Sequence, residues 1–220
     1  ALERFKAVQN TNGVVQVLAN LGIVRTALEC FDDARAALDE GLRLAKDVRE
    51  PVLLAWLHGA MGNLAQQQGV LADATESYLR ALEICRASHN KLGMATVLNH
   101  LAEVALARSE RASAIDYIEE SLAICAEHEL ILQLSDALEV IARLNVGHQD
   151  ETAARLFGAV DALRDRARFP FTGPEWRVRE AFFLQLHREH GDDWLAKHSD
   201  FGKSLQLAEG IRLARVSLKH

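Results

Sequence analysis

His187, His190, Asp192, Asp193 and His198 are crowded into residues 187–198, the densest group of potential metal ligands in the chain. Two histidines at i and i+3 on a helix reach one ion, and a carboxylate can complete the shell. The group lacks the glutamate and the spacing of the zinc-protease motif H-E-x-x-H. We read it as the solvated polar face of a helix and expect no metal. Gly202-Lys203-Ser204 has the wording of the end of a phosphate-binding loop. Such a loop needs a glycine five residues before Gly202, after a strand, so that successive amides surround the phosphates. Lys197 stands there, in a segment that reads as helix. Serine, histidine and aspartate are all present, but no nucleophile elbow or spaced triad motif joins them. The expectation is a non-catalytic chain without a cofactor.

The elements that must position any site are helices. The chain has 220 residues, 49% apolar and 25% charged, with 6% aromatics. Abundant alanine and leucine with few aromatics suit helix–helix packing better than a β-sandwich. A net charge of −6 without a basic stripe argues against direct nucleic-acid contact. No apolar run reaches the roughly 20 residues that span a membrane, and ALERFKAVQN lacks the layout of a signal peptide. The three cysteines, Cys30, Cys85 and Cys125, are few, odd in number and far apart, which fits a reducing cytoplasm. Cys85 and Cys125 share a column one repeat apart. Adjacent repeats are offset by roughly 10 Å, beyond the reach of a disulfide, so both read as small core residues.

A repeat organises the chain. Positions 22, 62, 102 and 142 hold Gly22, Gly62, Ala102 and Ala142, preceded by Leu21, Met61, Leu101 and Ile141. Twelve positions on stand Ala34, Ala74, Ala114 and Ala154. The period is forty, held over four units without an insertion. Each unit reads as two amphipathic helices. PVLLAWLHGAMGNLAQQQG opens on Pro51, tolerated in a first turn, and ends at Gly69, suited to a left-handed cap. VLADATESYLRALEICRASH carries Leu71, Ala74, Tyr78, Ala81, Leu82 and Cys85 at i, i+3/i+4 spacing. Such pairs bury their faces only by stacking, so the expected fold is all-α, a right-handed α-solenoid. Expected units are 11–50, 51–90, 91–130 and 131–168, then a C-terminal helical cap over 169–220. Residues 1–10 align with the rows starting at 41, 81 and 121 and read as the remnant of a preceding repeat, with Leu2 and Phe5 in inward columns. That alignment suggests a piece of a longer protein.

These columns resemble tetratricopeptide repeats, with small residues at helix crossings (Gly62, Ala74, Ala81) and large ones filling the gaps (Met61, Tyr78). The period exceeds the family's usual 34, and the extra length is expected near ASHNKLG. His58 stands where the family often has tryptophan. The resemblance implies that the first helix of each pair lines an inner groove. Carried over, the groove columns hold Asn63, Gln66 and Gln67, then Asn99 and Glu103, then Arg143. This set gives and takes hydrogen bonds without net charge, suiting a peptide or a polyhydroxylated small molecule. It lacks the converging lysines and arginines of a carboxylate clamp.

The period stops after Arg168. A loop is expected at 169–174, a helix to about 190, a short helix over 192–197 and a final helix from Ser204 as N-cap. In ETAARLFGAVDALRDR, Ala154 continues the alanine column, whereas Gly158 takes the column of Leu38, Tyr78 and Ile118 and marks the seam with the cap. ARLFGAVDALRDR, PEWRVREAF, HREHG and GKSLQLAEGIRLA resemble the C-terminal end of bacterial multidomain transcriptional regulators of the LuxR- or AfsR-like kind, which carry a signal-transduction ATPase module. The matching residues are Gly158, Ala159, Ala162 and Leu163, then Pro174, Glu175 and Arg177, then Gly202, Lys203, Leu205, Leu207, Glu209 and Ala214. Gly210 and the distance from Trp194 to Gly202 depart from the pattern. The resemblance implies a sensor or scaffold region whose partners are a protein, a peptide or a small-molecule effector, together with neighbouring domains of the parent protein. A general adaptor with another chain as its partner is the alternative.

Overall fold

The computed structural model describes residues 10–45, 50–171 and 173–219, leaving aside the side chains of 173–175. The expected remnant at 1–10, with Leu2 and Phe5, therefore lies outside the described residues except for Asn10. Among the described residues there are eleven helices and no strand: α1 (Thr11–Ala27), α2 (Phe31–Ala45), α3 (Pro51–Gln67), α4 (Leu71–Ala87), α5 (Lys91–Ala107), α6 (Arg111–Glu127), α7 (Ile131–Asn145), α8 (Asp150–Ala167), α9 (Gly173–His190), α10 (Asp192–Ser204) and α11 (Leu207–Ser217).

The helices α3 to α6 are equal in length and are joined by equal three-residue turns, so one starts at every twentieth position. The stops share one device. Glu29, Gly69, His89, Ser109 and Glu129 have φ between 53° and 76°, the left-handed turn that ends a helix. Only Gly69 adopts it without steric cost. The length beyond the family's usual repeat is therefore not a loop at 87–93, where the turn is the same Ser88–Asn90 as elsewhere. It is taken up in the helices. Asn10 and Asn90 start α1 and α5 alike, each accepting through Oδ1 from the amide three residues on, at 2.8 and 3.0 Å.

The chain divides into two compact units, residues 1–104 and 105–220. In the first, small residues in one helix receive large ones from the next. A Cβ on Gly62 would lie 2.5 Å from Cε1 of Tyr78, and one on Gly22 would overlap the Leu38 side chain. Leu38 and Tyr78 are fully buried in these notches, each sixteen positions after the glycine that admits it.

The second unit departs from this pattern where the column places Gly158. Its missing side chain admits backbone: a Cβ on Gly158 would fall on the Ser199 carbonyl of α10, and one on Gly202 on the Arg155 carbonyl of α8. The two glycines let α8 and α10 approach main chain to main chain. The helix against Gly158 is α10, which runs to Ser204 instead of ending near 197. Gly202-Lys203-Ser204 is thus the end of a helix, without the exposed amides of a phosphate loop. The last helix begins at Leu207. Its cap is Gln206, in a reciprocal capping box with Glu209, and not Ser204. Asn145 and Gln149 hold α11 by donating to the Ser217 hydroxyl and carbonyl, both at 3.1 Å.

A buried cation holds α9. Arg179, 1% exposed, donates to Glu139 on α7, to Asp161 at 2.6 Å and to the Phe157 carbonyl at 3.0 Å on α8. Phe157, Phe171 and Phe183 surround its guanidinium at 4.5–5.0 Å. The regulator-like motif points to Arg177, which is exposed; Arg179 is the one the fold uses. Burial, more than any charge, pushes the Glu139 carboxyl up to about 7, with Arg179 and Arg143 pulling it down and Asp161 pushing it up.

Both the glycine crossing and the buried carboxyl can be tested by unfolding. Gly158→Ala should lower the unfolding free energy by about 3 kcal/mol, because the Ser199 carbonyl cannot yield without moving α10; a urea midpoint equal to wild type would refute the close crossing. Between about pH 4.5 and 7 the folded chain holds a Glu139 proton that the unfolded chain has released. Stability from this group therefore falls as pH rises through that window. Urea titrations should show a steeper decline for wild type than for Glu139→Gln, and parallel pH profiles would contradict the assignment.

Candidate functional site

Between α3 and α5 the first unit holds a cavity of about 260 Å³. Val52, Trp56, Gly59 and Asn63 come from one face of α3, at the i, i+4, i+7, i+11 spacing of a helical stripe. Leu92, Thr96 and His100 come from α5, one repeat on from Val52, Trp56 and Ala60. Ile23 of α1, Cys85 and Asn90 also line it. Gly59 makes the space. A Cβ there meets nothing within 4 Å, unlike the notches at Gly22 and Gly62. Val52 and Leu92 stand exposed at its mouth, at 57% and 51%.

Beside the cavity lies a polar network built on Tyr78. Its ring is buried against Gly62 and stacked on His100, with centroids 5.2 Å apart and planes 12° apart. Its hydroxyl is 2.5 Å from Asn63 Oδ1 and 2.8 Å from Gln66 Oε1. Burial, then the nearby Glu103, pushes the phenol well above its ordinary range, so it stays protonated. One hydroxyl proton serves only one acceptor. The shorter contact, to Asn63, takes it; Gln66 matches the hydroxyl lone pair with its amide turned so that Nε2 donates. Asn63 then has its NH2 left over beside the cavity. His100 Nδ1 is 3.5 Å from Glu103. His58, on the same helix as Asn63, is held below the usual imidazole range by burial and then by Arg80.

Of the residues expected in the groove, Asn63 and Gln66 meet at Tyr78, Gln67 is exposed one position on, and Glu103 pairs with His100. Asn99 is buried, at 4%. Arg143 belongs to the second unit and is also buried, its guanidinium 5.8 Å from the Phe182 ring of α9. Trp56, Gly59, Tyr78 and Asn90 join the site without being among the groove columns. No residue type in the sequence marks them, since Gly59 has the same look there as Gly62.

The C-terminal histidines separate. His187 pairs with Asp192 at 2.8 Å, His190 with Asp150 at 2.6 Å, and His198 lies 3.8 Å from Glu151. Trp194 stands against both His190 and His198, with centroids at 4.1 and 4.5 Å. Asp150, Glu189 and His190 do place one ligand atom each within 4.8 Å of one another. Cys85 and Cys125 are buried thiols, as expected, and burial pushes Cys125 up to about 11. Among the described residues no helix is long and apolar enough to cross a membrane.

Residues 53–127 match the tetratricopeptide repeat family, whose members are generally non-catalytic scaffolds for protein–protein interaction. No curated protein matches the chain. Among solved structures, the crystal structure of BtubC (BKLC) from P. vanneervenii is similar, with a TM-score of 0.66 at 18% identity over 98% of this chain and 87% of that one. The likeness is one of fold, and with the family match it makes the chain an all-α, solenoid-like helical repeat protein.

Tyr78→Phe keeps the ring in its notch and removes only the hydroxyl. It should cost about 1 kcal/mol in a urea titration, as expected for stranding two partly buried amides. No loss of stability would mean that the network contributes nothing to the fold.

Proposed function

We propose that the α3–α5 face of the first unit binds a protein segment, as a non-catalytic scaffold surface. The carrying observation is the open cavity between two first helices, set beside amides that can pair with a peptide backbone. A peptide bond offers one donor and one acceptor, and Asn63, Gln66 and Gln67 match it without introducing net charge. A small-molecule effector fits less well, since ligand pockets usually enclose about 300–1,000 Å³. Arg143 contributes through packing under Phe182 instead of through contact with the partner.

In the finer reading, 11–168 form four repeats capped by 169–220, and the region is the sensor or scaffold part of a cytoplasmic, bacterial multidomain transcriptional regulator. The resemblance of 152–214 to the end of such regulators supports this reading. Partner binding would then act by favouring one arrangement of neighbouring domains. A general adaptor needs the same groove and no such domains.

Gln67→Ala combined with Asn63→Ala should weaken a peptide selected against the wild-type chain at least tenfold, read by fluorescence anisotropy. Arg143→Ala should leave that affinity within twofold while lowering the melting temperature. Equal binding by the double variant would remove the groove from consideration.

A further inference from the structure

Taking the groove reading as its basis, we infer that the cavity at Gly59 is an anchor site for one large, uncharged apolar side chain of the bound peptide, of phenylalanine size. Three observations converge on this occupant.

The first is volume. At about 260 Å³ the cavity is too small for most whole ligands, yet larger than the roughly 150 Å³ apolar cavity that accepts benzene. One ring or branched aliphatic group fits, together with the carbons that tether it.

The second is charge. In a chain with 25% charged residues, no Lys, Arg, Asp or Glu among the described residues contributes to the cavity wall. Its titratable members are His100, stacked on Tyr78, and Cys85, whose thiol burial pushes up. A charged side chain entering here would lose its water without gaining a counter-ion. Trp56 offers a ring to pack against. Asn63 and Asn90 both have Oδ1 engaged, with Tyr78 and with the Gly93 amide. Each therefore keeps its NH2 for a further acceptor, such as a carbonyl of the bound peptide.

The third is the way the same columns are used in the second unit. Two repeats beyond Gly59 and Asn63 stand Glu139 and Arg143, and there the chain covers them itself. Arg179 of α9 bonds Glu139, and the Phe182 ring lies over Arg143. Where this face is covered within the protein, the covering segment is a helix that presents phenylalanine. The face at Gly59 has the same place in its repeat and, among the described residues of its unit, no such cover.

Gly59 is the residue that decides specificity. A Cβ there meets nothing within 4 Å and Gly59 lines the cavity, so Gly59→Leu should occupy the anchor site while leaving the helix intact.

The test is selection of a phage-displayed random dodecapeptide library on the whole chain, followed by anisotropy titration of synthesised hits. Expected hits share one Phe, Trp, Tyr, Leu or Met. Replacing it by Ala should cost at least tenfold in affinity. Gly59→Leu should cost a similar factor with the parent peptide and less than twofold with the Ala peptide, since the two changes remove one contact. Thr96→Trp, which fills the cavity from the opposite wall, should reproduce the effect, and far-ultraviolet circular dichroism should show both variants folded. Hits that respond to Asn63→Ala with Gln67→Ala but share no apolar residue, or that ignore both filling variants, overturn the anchor and leave the groove. Hits that ignore the double variant, or no hits at all, overturn the groove reading and the anchor with it.

Discussion

Helices of matched length come together here over side chains too small to hold them apart, and most of the organisation depends on where those gaps fall. A notch at Gly22 or Gly62 fixes the height at which the next helix crosses, because Leu38 and Tyr78 have nowhere else to go. From α3 to α7 a three-residue turn then returns the chain every twentieth position. A left-handed residue ends the helix without lengthening the connection, and four of the five positions spaced along this cadence hold it without glycine. Their strain, on the order of 1 kcal/mol each, persists because the buried columns on both sides allow no other turn. Gly158 shows what happens when the large partner is absent. The column stays in register, but the space goes to another helix's backbone, and the repeat gives way to a different packing.

The repeat is legible because it is written in residue types. Small residues and alanines recur at fixed intervals, and periodic apolar faces announce helices without help from tertiary structure. The shorter cadence of single helices beneath it is not legible, since Glu29, His89, Ser109 and Glu129 carry no compositional mark of a left-handed cap. The start of the last helix is hidden for a related reason. Ser204 is a good cap by type, but α10 continues through it under the close crossing at Gly202, and the Gln206–Glu209 box takes over. Arg179 is invisible beside Arg177, because only the packing of α9 decides which arginine meets Glu139.

The groove is half legible. Carrying columns forward reaches Asn63, Gln66, Gln67 and Glu103, which lie in or near the polar network. Tyr78 has the look of a filler of gaps, which it is; its hydroxyl does the second task of orienting two amides. The cavity depends on something columns do not display, namely an absent side chain with no neighbour moved in to replace it. Gly59 and Gly62 are one turn apart and indistinguishable by type. One opens to solvent and the other is a notch filled by a tyrosine ring, and only the register of α4 against α3 tells them apart.

The same columns therefore have two fates along one chain. In the first unit the space at Gly59 is left open and, among the described residues, lined without formal charge, whereas Ala19 and Asn99 of the same column are buried. In the second the column carries a glutamate sealed under a helix, and burial raises its carboxyl to about 7 against the downward pull of Arg179. A buried ion pair is weak as a source of stability but demanding about geometry, which suits a contact that must select one register of α9. An uncharged cavity has the opposite character. For the proposed peptide anchor it would make few demands on orientation, with apolar contact supplying most of the affinity and the amides of Asn63 and Asn90 setting direction. One column thus holds a buried, charge-paired glutamate in the second unit and a glycine beside an uncharged cavity in the first, so a single pattern of positions serves two different kinds of packing.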